Sequence, residues 1–140
     1  METVGLRPKL ISFRVTNFQS ENKLASSSAE PWTIQLSQTI EVGLATASDA
    51  KAPLLAIVKI DFVAKATQET ASKQTAEFSA GYEGKFNYPI GAAEADILPL
   101  FENEDYQHGL AAQVFPLAMT HFRREMQSTG FDARNLPLGL

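Results

Sequence analysis

The sequence predicts an α+β fold: a four-stranded antiparallel meander sheet with a long C-terminal helix packed on one face. Three observations carry that expectation. Four stretches alternate apolar and polar residues with the period of a half-buried strand, and one later stretch repeats apolar residues at helical spacing. The segments joining the four strands are short and polar, which leaves no room for the crossover helices of a parallel sheet. At 140 residues the chain suits a single domain, 1–140, large enough to bury its own core.

The first strand is residues 9–18, KLISFRVTNF, with Ile11, Phe13 and Val15 on one side and Ser12, Arg14 and Thr16 on the other. Residues 21–30 are polar, include Ser26, Ser27 and Ser28, and read as a flexible connection. From Trp32 the even positions Ile34, Leu36, Ile40, Val42 and Leu44 are apolar, which predicts a long second strand with Gln38 as its point of weakness. Residues 49–53 turn the chain into a third strand, 54–65, with Ala56, Val58, Ile60 and Phe62 inward, and residues 68–72 turn it again. The fourth strand, 75–88, turns Phe78, Ala80, Tyr82, Phe86 and Tyr88 one way and Glu77, Ser79, Glu83, Lys85 and Asn87 the other. Gly81 and Gly84 inside it mark a bulge or bend.

Residues 89–107 form an irregular crossing, apolar and acidic, expected to hold a short helix. Glu94, Asp96, Glu102, Glu104 and Asp105 read either as a solvated loop or as an acidic rim for a cationic partner. Ile97, Leu98, Leu100 and Phe101 need burial in the core, in a subunit interface or against a ligand. The helix covers Leu110 to Gly130, where Phe115, Met119, Phe122 and Met126 line one face. Arg123 and Arg124 suit its later turns and Gly130 its end. Pro116 allows two versions: a helix starting near Phe115 with residues 110–114 as a separate turn, or one helix kinked at the proline.

Chemistry is sparse. Cysteine is absent, which removes disulfides, thiolate zinc sites and cysteine nucleophiles. Net charge is −4 with no basic, aromatic-laced cluster, against nucleic acid as main partner. No basic-then-apolar leader opens the sequence and no apolar run reaches membrane-spanning length, which predicts a soluble, cytoplasmic protein. His121 and Glu125 share a helical face, but two ligands are fewer than a metal normally takes, and a hydrogen-bonded pair is the plainer reading. His108 beside Asp105 and Glu104 has the makings of a base without a nucleophile or oxyanion motif. No enzyme, cofactor or metal site follows. The aromatics Tyr82, Phe86, Tyr88, Phe101, Tyr106, Phe115 and Phe122 gather around the strand-to-helix crossing, as core and as a surplus suited to an apolar groove.

Several of these stretches resemble SecB, the bacterial export-chaperone family. KLISFRVTNF resembles its opening strand, Gly84–Tyr88 (GKFNY) the Gly-x-Phe end of its last strand, VFPLAMTHFRREMQSTGF its Phe-Pro-x-Ala helix, and Asn135-Leu-Pro-Leu the segment after it. The resemblance implies a four-stranded antiparallel sheet with helices on one face, assembled as a homotetramer, a dimer of dimers packed through polar strand faces. It also implies an ATP-independent holdase that binds unfolded or precursor polypeptides in apolar grooves and hands them to the SecA motor. By position, the groove residues are Phe86, Tyr88, Ile97, Leu98, Phe101, Phe115 and Met119. Acidic residues that bracket the family's Ile-Ser-Phe and help dock SecA are Leu10 and Arg14 here, one charge lost and one reversed, which predicts weak or absent SecA binding. The family's further helix and acidic tail have no counterpart in the sequence up to Leu140. The resemblance extends to SecB-like chaperones dedicated to one client, such as an antitoxin of a toxin–antitoxin module. Two other readings stay open: an interaction scaffold on this fold without chaperone activity, and a small-molecule binder with a closed pocket.

Overall fold

The computed structural model describes residues 7–23, 32–45, 54–68, 75–131, 133 and 136–140. Its elements are β1 (Lys9–Asn22), β2 (Trp32–Ala45), β3 (Leu55–Gln68), β4 (Thr75–Asn87), a one-turn helix α1 (Glu94–Ile97), a 3-10 helix (Leu98–Glu102) and α2 (Glu104–Ser128). The connections expected at residues 21–30, 49–53 and 68–72 lie wholly or largely outside the described residues, as does Asn135.

All strand pairs are antiparallel, and the order across the sheet is β1-β4-β3-β2. Strands β2, β3 and β4 form the expected meander, but β1 joins beyond β4 instead of beside β2. Alternation assigns each strand its faces and says nothing about its neighbours, so a simple meander was the wrong arrangement for β1 alone. With β1 on one side and β3 on the other, β4 is buried on both faces from Ala80 to Gly84.

On the inner face, Ala56, Val58, Ile60 and Phe62 of β3 and Phe78, Ala80, Tyr82 and Phe86 of β4 are buried, as their alternation requires. Strand β2 is unbroken at Gln38, which pairs in register with Phe62. Strand β1 runs four residues further than expected, and its simple alternation fails: register shifts between Leu10 and Ser12 and between Val15 and Asn17 each insert one residue. In consequence Leu10, Phe13 and Phe18 reach the core, whereas Ile11 is 50% exposed and Val15 39%.

The two strand glycines mark close approach within a regular β4, while the irregularities lie on β1 opposite. A Cβ on Gly84 would stand 2.6 Å from Val114 Cγ2, so its bare backbone is where α2 seats on the sheet. A Cβ on Gly81 would meet Thr16 Oγ1 at 2.6 Å and Asn17 Nδ2 at 2.7 Å on the opposite face.

Helix α2 is continuous, with Pro116 inside it, so residues 110–114 are part of one helix and not a separate turn. It begins earlier than the apolar period shows because Asn103 caps it, its side-chain oxygen accepting from the Asp105 N–H at 2.9 Å. It ends where Gly130 takes φ +88°, with the Gly130 N–H donating to Gln127 O and the Phe131 N–H to Met126 O, the paired bonds of a left-handed C-terminal cap. That cap turns Phe131 back onto Phe78, ring centroids 5.4 Å apart, and Arg123 Nε donates to Ala133 O at 3.1 Å, which holds the following segment on the core.

Candidate functional site

The inner face of the sheet carries two kinds of surface. Beneath α2 it is sealed: Phe62 lies between Phe115 and Phe122, with ring centroids 5.5 and 5.2 Å away, and Tyr82 closes the cluster at 5.8 Å. Farther out, the edge strand β2 presents Ile34, Leu36, Ile40, Val42 and Leu44 to the same side, and these stay only partly buried, with Gln38 exposed in their midst. The 3-10 helix and α2 both lie against β2. The 3-10 helix carries Leu98, 48% exposed, and the half-buried Phe101. The result is an apolar strip along an open sheet edge, walled on one side by the crossing segment and the long helix.

Of the seven groove residues expected from sequence, Leu98 and Phe101 lie on the 3-10 helix and keep exposed surface. Phe86, Tyr88, Ile97, Phe115 and Met119 are buried inside the chain's own core. The physical reason is the length of α2: a 25-residue helix covers the face that its apolar stripe fits, and its stripe and the residues opposite are consumed in that contact. The β2 row was visible as an apolar alternation. Its position at the edge, where among the described residues it has one strand neighbour and incomplete cover, had no signal.

Polar groups at the rim of the core are paired. The Tyr82 hydroxyl lies 2.9 Å from His121 Nδ1, and His121 Nε2 lies 3.6 Å from Glu125 Oε1, so the His121–Glu125 pair is part of a chain that ties α2 to β4. The hydroxyls of Tyr88 and Tyr106 are 2.5 Å apart, and the Gln107 side chain donates to Phe101 O, which fixes the start of α2 to the crossing. Burial, reinforced by the Glu125 carboxylate, pushes the Tyr82 phenol well above its usual range. Burial and the Tyr106 hydrogen bond push Tyr88 up, and burial raises Tyr106 against the opposing effect of its bond to Tyr88. Among the described residues no buried side-chain nitrogen or oxygen lacks a hydrogen-bond partner, and no three His, Asp or Glu side chains gather as metal ligands.

The five acids of the crossing, Glu94, Asp96, Glu102, Glu104 and Asp105, are all exposed and make no ion pair among the described residues. The outer face of the sheet is the reverse case. Glu83, almost buried there, takes Arg14 Nε at 3.1 Å and Lys85 Nζ at 3.9 Å, so its charge is compensated within the sheet. No described helix is long and apolar enough to cross a membrane.

Neither a protein-family model nor a curated protein sequence matches the chain. Among solved structures it is similar to the Mycobacterium tuberculosis SecB-like chaperone Rv1957 in complex with a ChAD peptide from the Rv1956 HigA1 antitoxin, with TM-score 0.60 and 15% identity over 96% of this chain and 88% of that one. At that identity the likeness speaks for backbone architecture, and it agrees with the strand and helix motifs read from the sequence. The chain has the fold of a SecB-like chaperone.

Proposed function

We propose that this chain is an ATP-independent holdase that binds non-native polypeptide along the β2 strip, with Leu98 and Phe101 as contacts and the buried Phe86, Tyr88, Ile97, Phe115 and Met119 as the packed floor that holds the strip's walls. The observation that carries this reading is the half-covered row Ile34, Leu36, Ile40, Val42 and Leu44 on an open sheet edge of a SecB-like fold. An extended segment laid there covers apolar side chains, worth about 25 cal/mol for each Å² removed from water, and finds unpaired backbone groups along the β2 edge.

The structural neighbour holds an antitoxin peptide, which supports a chaperone devoted to one client over a general export factor. The compensated Glu83 supports the same choice, since the outer face offers little net charge to a motor such as SecA. Assembly as a homotetramer in the cytoplasm belongs to this reading and is measured by light scattering on the purified chain.

The deciding experiment mixes the purified protein, near stoichiometric and without nucleotide, with a chemically unfolded polypeptide. Suppressed aggregation and slowed refolding are expected. A folded protein that does neither leaves the fold as a scaffold for another interaction and overturns the holdase.

A further inference from the structure

Where β1 begins and β4 ends, the surface opens into a notch of about 430 Å³ whose lining includes Arg7, Lys9, Ile11, Asn87, Tyr88 and Ile90, and among the described residues no acidic one. In a chain with 16 acidic and 12 basic side chains that is a local reversal of charge. Its apolar part is unusually open: Ile90 is 94% exposed and Ile11 is the residue that the first β1 bulge turns out of the ladder.

The notch is joined to the strip described above. Tyr88, on its wall, bonds Tyr106, whose ring packs on Phe101 with centroids 5.5 Å apart. The register puts it at the same end of the sheet as the last residues of β2, since Lys9 faces Asn87, Asn87 faces Leu55, and Leu55 faces Ala45. Three strand spacings of about 4.8 Å separate β2 from β1, a span that about four or five extended residues cover.

We propose that this notch holds an acidic side chain of the bound polypeptide, with Arg7 and Lys9 facing the carboxylate and Ile11 and Ile90 receiving an apolar neighbour, about five residues from the segment on β2. The proposal rests on the polypeptide-binding reading and adds a preference to it: clients that pair an apolar run with a nearby acid. The five acids of the crossing disfavour acids elsewhere on that border, which sharpens the preference for one position.

The test uses the full chain and three labelled peptides with the same apolar run followed, about five residues on, by Glu, Gln or Lys. Fluorescence anisotropy is expected to rank Glu over Gln by about 5-fold, with Lys weakest, and the differences shrink at high salt. In the double variant R7E/K9E the order reverses. Lys65→Glu, an exposed cation paired with Gln35 and Glu77 toward the other end of the sheet, leaves the order unchanged. Ile90→Ser weakens the Glu peptide without touching the core. Equal binding of all three peptides overturns the notch while keeping the holdase. So does an order that R7E/K9E leaves alone, or a variant altered only in its oligomeric size. Failure of every peptide to bind overturns both.

Discussion

Replacing Gly84 by alanine tests the seat of α2 on the sheet. The new Cβ would lie 2.6 Å from Val114 Cγ2, 3.1 Å from Val114 Cγ1 and 3.5 Å from Leu10 Cδ1, where carbon contacts settle at about 3.5–4.0 Å. Val114 is β-branched and fully buried on α2, so its χ1 has one comfortable setting and nowhere to retreat. Either the side chain leaves its rotamer or helix and strand separate by about 1 Å. Overpacking of this kind costs about 1–3 kcal/mol, and the stiffer unfolded chain returns about 0.4–1 kcal/mol. A net loss of about 1–2 kcal/mol lowers Tm by about 3–8 °C for a domain of this size, read by circular dichroism at fixed protein concentration because assembly shifts Tm. Gly81→Ala is the comparison. Its Cβ meets Thr16, Asn17 and Asp61, polar ends of exposed side chains that can swing into water, so its loss is smaller. Val114→Ala opens a cavity by itself but accepts the Gly84→Ala methyl, and the double-mutant cycle is expected to show about 1 kcal/mol of favourable coupling. A Gly84→Ala protein that melts at or above wild type, or substitutions whose effects simply add, refutes the close approach.

The three tyrosines give a pH dependence with a definite sign. Tyr82, Tyr88 and Tyr106 all have folded-state values above the unfolded phenol's, which lies near 10; the stability they carry is complete below that value and is lost as pH climbs toward the folded ones. Tyrosinate absorbance is therefore expected to appear together with unfolding above about pH 10; ordinary titration of all three rings in a folded protein would contradict it. At the strip, Leu98→Glu is expected to leave Tm within about 0.5 kcal/mol of stability while cutting suppression of aggregation several-fold. Phe115→Glu, which puts a carboxylate in a site 1% exposed, should unfold the protein instead of selectively disabling it. Calorimetry with SecA is expected to show weak or no binding, and tight, salt-sensitive binding would contradict the compensated outer face.

What the sequence makes legible is whatever a residue's own neighbours decide. Phe115, Met119, Phe122 and Met126 announce a helix by spacing alone, and all four are buried on it. The alternations of β3 and β4 name their inward residues correctly for the same reason. The misses are matters of partnership. Nothing in KLISFRVTNF says that it will lie against β4, or that two inserted residues there will turn Ile11 out and Phe18 in. The same limit applies to the large apolar residues near the crossing: size and position do not say which of them the chain's own core buries, and Phe86, Tyr88, Ile97, Phe115 and Met119 are buried. Among the described residues the β2 row is only partly covered because β2 is an edge strand, and that is a property of the whole sheet.

The place of β1 beside β4 also sets an order of events during synthesis. Arg14 and Glu83, partners across that pairing, are 69 residues apart in the chain. The strands β2, β3 and β4 are consecutive and close by local hairpins, whereas the strand translated before them waits until β4 has emerged. Until then β1 is an extended, partly apolar segment without a sheet, and β4 is an edge with its amides unpaired. The strand made first completes the sheet last, so the chain passes through the state that it is proposed to recognise in others.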